Sequence, residues 1–335
     1  MVFQEIYKKC QNIMDKRTSM GDAISRYVRP GAHISIGGFT LNRNPMAAVY
    51  EIIRRKIGNL HVYAHSNGQG IDELIGAGCV RAVEIAYGGN GRFAPTCIRF
   101  RKAVESGRVL IEDYSNYQMT LRFMAGAMGV PFLPTISSLG TDIVGKWGFS
   151  QEFREKERRL SLKKLTVMNN PFQRQVDDPR KVVLVPAINP DVTIIHVQQA
   201  DAKGTVRIEG LTFADVEQAR ASKRLIVTCE EIVSETILRE EPGKNQIPFF
   251  CVDAVVHQPH GAYPTACYLY YDYDPVYLNH YKEAAQEDSA YRQYLEHYVY
   301  GVKNHQGLLN LIGKDRLALI KAKSPEGYAP GLDRR

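Results

Sequence analysis

Two adjacent glycines, Gly37 and Gly38, stand directly after the short apolar run Ile34-Ser35-Ile36 and lead into Phe39-Thr40-Leu41-Asn42-Arg43-Asn44-Pro45. Paired glycines let a backbone approach a ligand closely and turn its amide N–H groups outward, which suits a phosphate, a carboxylate or a developing oxyanion. Thr40 and Asn42 add short polar side chains, and Arg43 adds a guanidinium matched to bidentate pairing with a carboxylate or phosphate. Taken on its glycines alone, the stretch reads first as an ordinary strand-to-helix turn before a helix near Pro45. A second polar segment, His65-Ser66-Asn67-Gly68, follows the apolar run 60–64 and reads as the facing wall of a cleft or as a plain turn. His196 interrupts another apolar run beside Gln198 and Gln199, where it is either a hydrogen-bonded core histidine or a polar group of a cleft that Gln198 also lines. Glu84 and Glu230 lie within or at the end of such runs, positions from which a carboxylate can attack a carbonyl. An acid there more often pairs with a base or caps the next helix, the reading preferred for both.

Several chemistries lack their residues. The chain contains no Gly-x-x-x-x-Gly-Lys-[Ser/Thr], no His-Glu-x-x-His and no Gly-x-Ser-x-Gly, so P-loop, zincin and α/β-hydrolase readings have no support. Six cysteines, at 10, 79, 97, 229, 251 and 267, form no Cys-x-x-Cys pair and read as free, mostly buried thiols. The reading therefore requires no metal, flavin, nicotinamide or other cofactor.

The elements that must position these residues follow from the periodicity. Runs at 33–36, 60–64, 80–87, 108–111, 181–186, 191–197, 205–208, 223–229 and 250–256 are rich in Val, Ile or Tyr and read as strands. Between them 45–57, 71–78, 97–106, 117–129 and 213–222 have helical spacing. Short buried strands alternating with helices predict an α/β fold with a mainly parallel sheet flanked by helices, and ligands at the carboxyl ends of its strands. The chain divides into an α/β domain over 1–275 and a helical C-terminal extension over 276–335. In that extension Tyr277, Tyr281, Tyr291, Tyr294, Tyr298 and Tyr300 recur at helical spacing, predicting two or three helices that pack on the sheet or on a partner. The segment 169–179 is the best candidate for a linker.

Composition sets the outer bounds. With 335 residues, 44% hydrophobic and 24% charged, the chain can bury a sizeable core. No apolar run approaches the roughly 20 residues needed to cross a bilayer. The first ten residues lack a signal peptide's apolar core, so the expected compartment is the cytoplasm. A formal charge of +7, from 43 basic against 36 acidic side chains, is a mild excess that favours an anionic small molecule without implying nucleic acid. The densest basic run, 154–164, is interleaved with Glu155 and Glu157 and reads as a solvated helix face.

Ile34-Ser35-Ile36, Gly37-Gly38-Phe39 and Pro45 fall in register with the first signature of the class I CoA-transferases, with Ser35 inside the apolar triplet and Arg43 where the signature has glycine. Further short segments resemble the alpha-chain branch of the glutaconate type in one order along the chain, among them Asp113-Tyr114-Ser115, Ile194-Ile195-His196-Val197-Gln198-Gln199-Ala200, Gly204-Thr205-Val206-Arg207-Ile208 and Tyr271-Asp272-Tyr273-Asp274. The resemblance implies an open α/β fold and ping-pong transfer of CoA from acetyl-CoA or a similar donor to a dicarboxylate such as glutaconate, with the thioester as substrate. It also implies that the nucleophilic glutamate belongs to a homologous B subunit, in a Ser-Glu-Asn-Gly motif. Here His65-Ser66-Asn67-Gly68 looks like that motif's loop with the glutamate missing, so no catalytic nucleophile is expected in this chain. The partners implied are that B subunit, in a hetero-oligomer with even subunit numbers, and the small acyl-CoA and acid, with no nucleic acid and no membrane. On this reading Gly37, Gly38 and Phe39 turn their N–H groups to the thioester oxygen. Thr40, Asn42 and Arg43 hold the acid's carboxylate or a CoA phosphate, and Ser66, Asn67 and Gly68 line the opposite wall. Arg43 as a surface residue paired with Glu51 is the alternative. Two other functions stay open: a relative that hydrolyses carbon–carbon bonds or decarboxylates an acyl-CoA, and a non-catalytic CoA-ester-binding protein.

Overall fold

The computed structural model describes residues 15–174, 180–323 and 326–332. Its centre is a nine-stranded sheet among these residues. Strands β1 (His33–Ile36), β2 (Leu60–Asn67), β3 (Val80–Gly88) and β4 (Leu110–Asp113) run side by side in parallel. On the other flank of β1 lies β8 (Val192–Ala200), followed by β10 (Leu225–Ile232) and β12 (Ala254–His257), all parallel. Two short antiparallel strands, β9 (Val206–Arg207) and β11 (Asn245–Ile247), extend the sheet at the end of β8. Both faces of the central strands are covered: all four residues of β1 are buried although they alternate, His33 and Ser35 being hydrogen-bonded on one face and Ile34 and Ile36 packed on the other, and β8 is buried at every position but Gln199.

The remaining strands form a separate antiparallel sheet. In it β7 (Lys181–Pro186) lies between β5 (Phe132–Thr135) and β6 (Thr166–Asn169). Membership of 181–186 in the parallel sheet is thereby corrected: its burial alternates, the mark of a strand with one wet face. The segment 169–179 is corrected likewise. Asn169 ends β6 and pairs with Lys181 of β7, so the chain between them closes a hairpin, of which 175–179 lie outside the described residues. Strand 250–256 starts later than its apolar pattern, at Ala254, because a 3-10 turn over Phe249–Cys251 follows Pro248.

Helix α1 (Met20–Tyr27) precedes β1, and α2 (Met46–Arg54), α3 (Gln69–Gly76), α4 (Ile98–Glu105) and α5 (Asn116–Met128) carry the chain between strands. The sequence sets their ends: Ser115 and Gln118 form a reciprocal capping box at the start of α5, and Gly129, at φ +69°, ends it. Short helices α6 (Asp142–Gly145) and α7 (Gln151–Lys156) precede β6, and α8 (Asp215–Ala221) and α9 (Glu235–Glu240) flank β10. The basic run 154–164 is only partly solvated. Arg154 and Lys164 are buried against Glu112 and Asp113.

The tail holds four α-helices among the described residues rather than two or three: α10 (Pro275–Ala284), α11 (Asp288–Leu295), α12 (His305–Ile312) and α13 (Lys314–Ile320), with a π turn over Glu296–Tyr300. Tyr277, Tyr281, Tyr291 and Tyr294 enter the same apolar core as α2, α3 and the sheet. The hydroxyls explain why tyrosine and not phenylalanine is found there: Tyr281 donates to Asp72 at 2.7 Å, and Tyr50 and Tyr294 each donate to Glu73 Oε1 at 2.9 Å.

Candidate functional site

Strand order reverses at β1. Its successors β2, β3 and β4 extend one way, whereas β8, β10 and β12 extend the other. At such a switch point the loops leaving neighbouring strands diverge and open a crevice at their carboxyl ends. The Gly37–Pro45 loop leaves β1 there.

The loop is held by its own backbone. Gly37 N–H donates to Ile194 O at 2.9 Å, Gly38 N–H to Asp215 Oδ1 at 2.8 Å, Phe39 N–H to Asn42 O at 2.8 Å and Thr40 N–H to Ser66 O at 3.0 Å. Asn42, Arg43 and Asn44 donate to Phe39 O, Ala266 O and Thr265 Oγ1. The expected N–H cradle of Gly37, Gly38 and Phe39 is therefore corrected, since all three donors are already taken inside the protein. The glycines are needed for space and conformation instead. A Cβ on Gly37 would lie 2.7 Å from Ile195 Cγ2, and Gly38, at φ +85°, would place one 2.6 Å from Asn42 O. From Gly37 to Asn44, only the Leu41 N–H has no protein acceptor among the described residues.

Arg43 is also reassigned. It is 2% exposed, sits at φ +49°, and gives Nη1–H to Asp215 Oδ2 at 2.8 Å and to His196 O at 3.3 Å, and Nη2–H to Leu211 O at 2.7 Å. A guanidinium so engaged ties the loop to β8 and to α8 rather than clamping an external carboxylate or phosphate. Its alternative partner Glu51 is bonded to Arg54 and Arg55. Asp215 completes the tie by taking both Gly38 N–H and Arg43. It is wholly buried, and burial pushes its carboxyl above the usual range even though Arg43 and the Gly38 amide pull the other way.

Ser66, Asn67 and Gly68 sit behind this loop as a buried buttress. Ser66 Oγ donates to Asn116 Oδ1 at 2.5 Å, and Asn67 Nδ2 donates to Gly37 O at 3.0 Å while its Oδ1 accepts Ile71 N–H. A Cβ on Gly68 would lie 2.6 Å from Gly89 O. Gln198 is buried too, donating to Glu209 O and Tyr268 O and accepting Glu209 N–H. It braces the cleft's floor without presenting a free group.

A cavity of about 600 Å³ opens beside the loop, with Thr40, Leu41, Asn42 and Arg43 on one side and Leu211, Phe213, Tyr268 and Tyr271 on others. Phe213 stacks on Phe39 at 4.6 Å between ring centroids. Beneath Tyr271 lies a histidine–glutamate pair: His196 Nε2 meets Glu230 Oε1 at 2.7 Å, Tyr271 OH donates to the same oxygen at 2.6 Å, and His260 N–H donates to Oε2. Burial raises the Glu230 pKa, but these partners outweigh it and hold the carboxyl below its ordinary value. His196 is thus a hydrogen-bonded core histidine and Glu230 its partner. Among the described residues, His196, Glu230 and Cys267 bring ligand atoms within 4.8 Å of one another, near enough to hold a cation, yet the histidine and glutamate face each other directly. Glu84 is fully buried between Arg122 and His61, and despite the burial Arg122 and His61 hold its carboxyl down at about 2. Neither glutamate reaches the cavity lining.

Thr40 and Asn42 line the cavity. Asp215, Phe213 and Tyr268 escaped the sequence reading, and Tyr271 entered it only as part of a family-like segment, with no role at the cleft. Asp215 stands in the first turn of a recognisable helix, where an acid reads as a favourable end charge, and nothing local says that it reaches Gly38, 177 positions away.

Residues 17–258 match the family model Coenzyme A transferase. The chain is 41% identical over 94% of its length, and 97% of the relative's, to the A chain of glutaconate CoA-transferase from Acidaminococcus fermentans. The crystal structure of glutaconate coenzyme A-transferase from that organism superposes with a TM-score of 0.90 at 40% identity, covering 95% of this chain and 98% of that one. The A chain of 3-oxoadipate CoA-transferase from Pseudomonas knackmussii is 31% identical over 87% of this chain and 96% of its own.

Proposed function

Because this chain belongs to the coenzyme A transferase family, we propose that it is one half, the alpha-type chain, of a two-chain enzyme that moves CoA from acetyl-CoA, or a similar donor, to a dicarboxylate such as glutaconate. What supports the reading is the lined cleft at the carboxyl end of β1, together with the two candidate glutamates, Glu84 and Glu230, which lie outside its lining and face buried bases. A glutamate on the B subunit first attacks the donor thioester, the acyl group leaves as an acyl-glutamyl anhydride, and the released CoA thiolate returns to form a glutamyl-CoA thioester with free acetate. The diacid then repeats the exchange in reverse. This chain supplies one wall: Thr40 and Asn42 meet the acid or the CoA, and the Leu41 N–H is the loop donor still available to the thioester oxygen. Among the described residues, those before 276 form the α/β part of that wall, and those from 276 onward form its helical support.

The test is to purify the chain alone and together with a homologous α/β chain carrying the Ser-Glu-Asn-Gly glutamate, then follow acetyl-CoA-dependent formation of glutaconyl-CoA. Activity is expected only in the pair, in an assembly with equal numbers of the two chains by light scattering. Transfer by the isolated chain that disappears in Glu84→Gln or Glu230→Gln would overturn the assignment.

A further inference from the structure

The sheet has a second charged feature at its opposite end. A cavity of about 220 Å³ is lined by Tyr63, Arg122, Arg159, Ser161, Asn189 and Lys223, together with Leu160, Ala187 and Ile188. Asn189 and Lys223 stand just before β8 and β10, so this pocket opens at the amino-terminal edge of the parallel strands, whereas the cleft described above lies at their carboxyl edge. Every charged residue of the lining is a cation. The acids that pair with them lie outside it: Glu84 holds Arg122, and Asp191 holds both Arg159 and Lys223.

Arg122 is the informative member. Its side chain is only 3% exposed. Nε–H donates to Pro186 O at 3.2 Å and Nη1–H to Glu84, while Nη2 has no protein partner among the described residues and is not among the fully occluded polar atoms. The guanidinium is stacked over the Tyr114 ring at 4.1 Å, and its Nη2 N–H groups are left available to an acceptor from outside the protein. Tyr63 adds a hydroxyl already oriented by its bond to His33 Nδ1 at 2.7 Å. Arg122 and Arg159 line the same cavity as that hydroxyl, with the carboxylates Glu84 and Glu157 behind them rather than in the lining.

We propose that this pocket binds a small oxyanion, phosphate or a short carboxylate, between Arg122, Arg159 and Lys223, independently of the thioester cleft. Planar or tetrahedral oxygens match the guanidinium forks, and the volume admits an anion of a few heavy atoms but no CoA ester. The reading goes beyond the transferase assignment and does not depend on it.

Isothermal titration of the full-length chain with sodium phosphate, and separately with sodium acetate, against sodium chloride of equal ionic strength, tests it. One saturable site is expected for at least one of the two, and the tighter arm identifies the source. Arg159→Ala and Lys223→Ala, both at partly or largely exposed side chains, should each weaken binding about tenfold, as expected for loss of one charged hydrogen bond. Asp191→Asn, which frees both cations, should tighten it. Circular dichroism establishes that each variant is folded. No saturable binding in either arm, or binding unchanged in both alanine variants, overturns the proposal. Displacement of the anion by acetyl-CoA overturns its independence from the cleft.

Discussion

Replacing Asp215 tests whether the Gly37–Asn44 loop is held in place from α8. Asp215 and Arg43 are both buried, with side-chain exposures of 0% and 3%, and their charged atoms lie 2.8 Å apart. At an effective dielectric constant of about 20, attraction at that distance is about 6 kcal/mol. Desolvating two ions costs several kcal/mol each, so the intact pair is worth little net. Removing one partner is different, because the other charge stays buried with nothing to offset it. Asp215→Ala also strips the acceptor from Gly38 N–H, and it should lower stability by about 4 kcal/mol. Asp215→Asn keeps an oxygen for Gly38 and loses only the charge, for about 2 kcal/mol. The pair Arg43→Met with Asp215→Asn should cost at least about 2 kcal/mol less than the sum of its single changes, because the buried charge goes with its partner. Urea unfolding is best followed by far-ultraviolet circular dichroism, since the single tryptophan, Trp147, is 81% exposed and changes environment little on unfolding. Paired with its B subunit, the Asp215→Asn chain should lose more in kcat/KM than in stability at working temperature, because the loop it positions lines the cleft. Single changes that alter stability by less than about 0.5 kcal/mol, and add without coupling, would refute the tie.

Gly38→Ala should cost about 3–5 kcal/mol, since a side chain at φ +85° is strained and its Cβ meets backbone at 2.6 Å; a urea midpoint near wild type would contradict this. Burial raises the Glu73 carboxyl from 4.5 to about 7, more than Gln69, Tyr50 and Tyr294 lower it. The folded state therefore holds a proton that the unfolded state releases, and stability falls as pH rises from 4.5 through 7. Glu73→Gln should match wild type below about pH 4.5 and exceed it above about pH 7 by about 3 kcal/mol, read from urea midpoints across pH. Glu84 has the opposite sign: Arg122 and His61, against burial, hold it at about 2, so its contribution is present above pH 4.5 and disappears as pH falls toward 2. Glu84→Gln should be about 3–5 kcal/mol less stable than wild type near pH 7, with the gap closing in acid; a pH-independent gap would refute the pairing.

The parallel sheet was legible in local pattern, because short runs bearing Ile, Val or Tyr between turn residues mark strands and the helices between them repeat at their own period, both properties of a few neighbouring residues. The runs at 33–36 and 80–87 and the helical spacing at 117–129 correspond closely to β1, β3 and α5 for that reason. The same pattern placed the Gly37-Gly38 loop at a strand's carboxyl end, where Thr40 and Asn42 line the cleft. Which groups of that loop stay free emerged only in three dimensions. Once β8 pairs with β1, Ile194 O takes the Gly37 amide and α8 brings Asp215 to Gly38 and Arg43, so a residue that looked made for an external carboxylate becomes an internal strut. The same holds for β7, whose apolar run leaves the parallel sheet for an antiparallel one, and for Glu230, whose base lies on the neighbouring strand. A hydrogen-bond donor or a charge is satisfied by whatever acceptor packing brings within about 3 Å, and that partner's place in the chain leaves no trace in the local pattern.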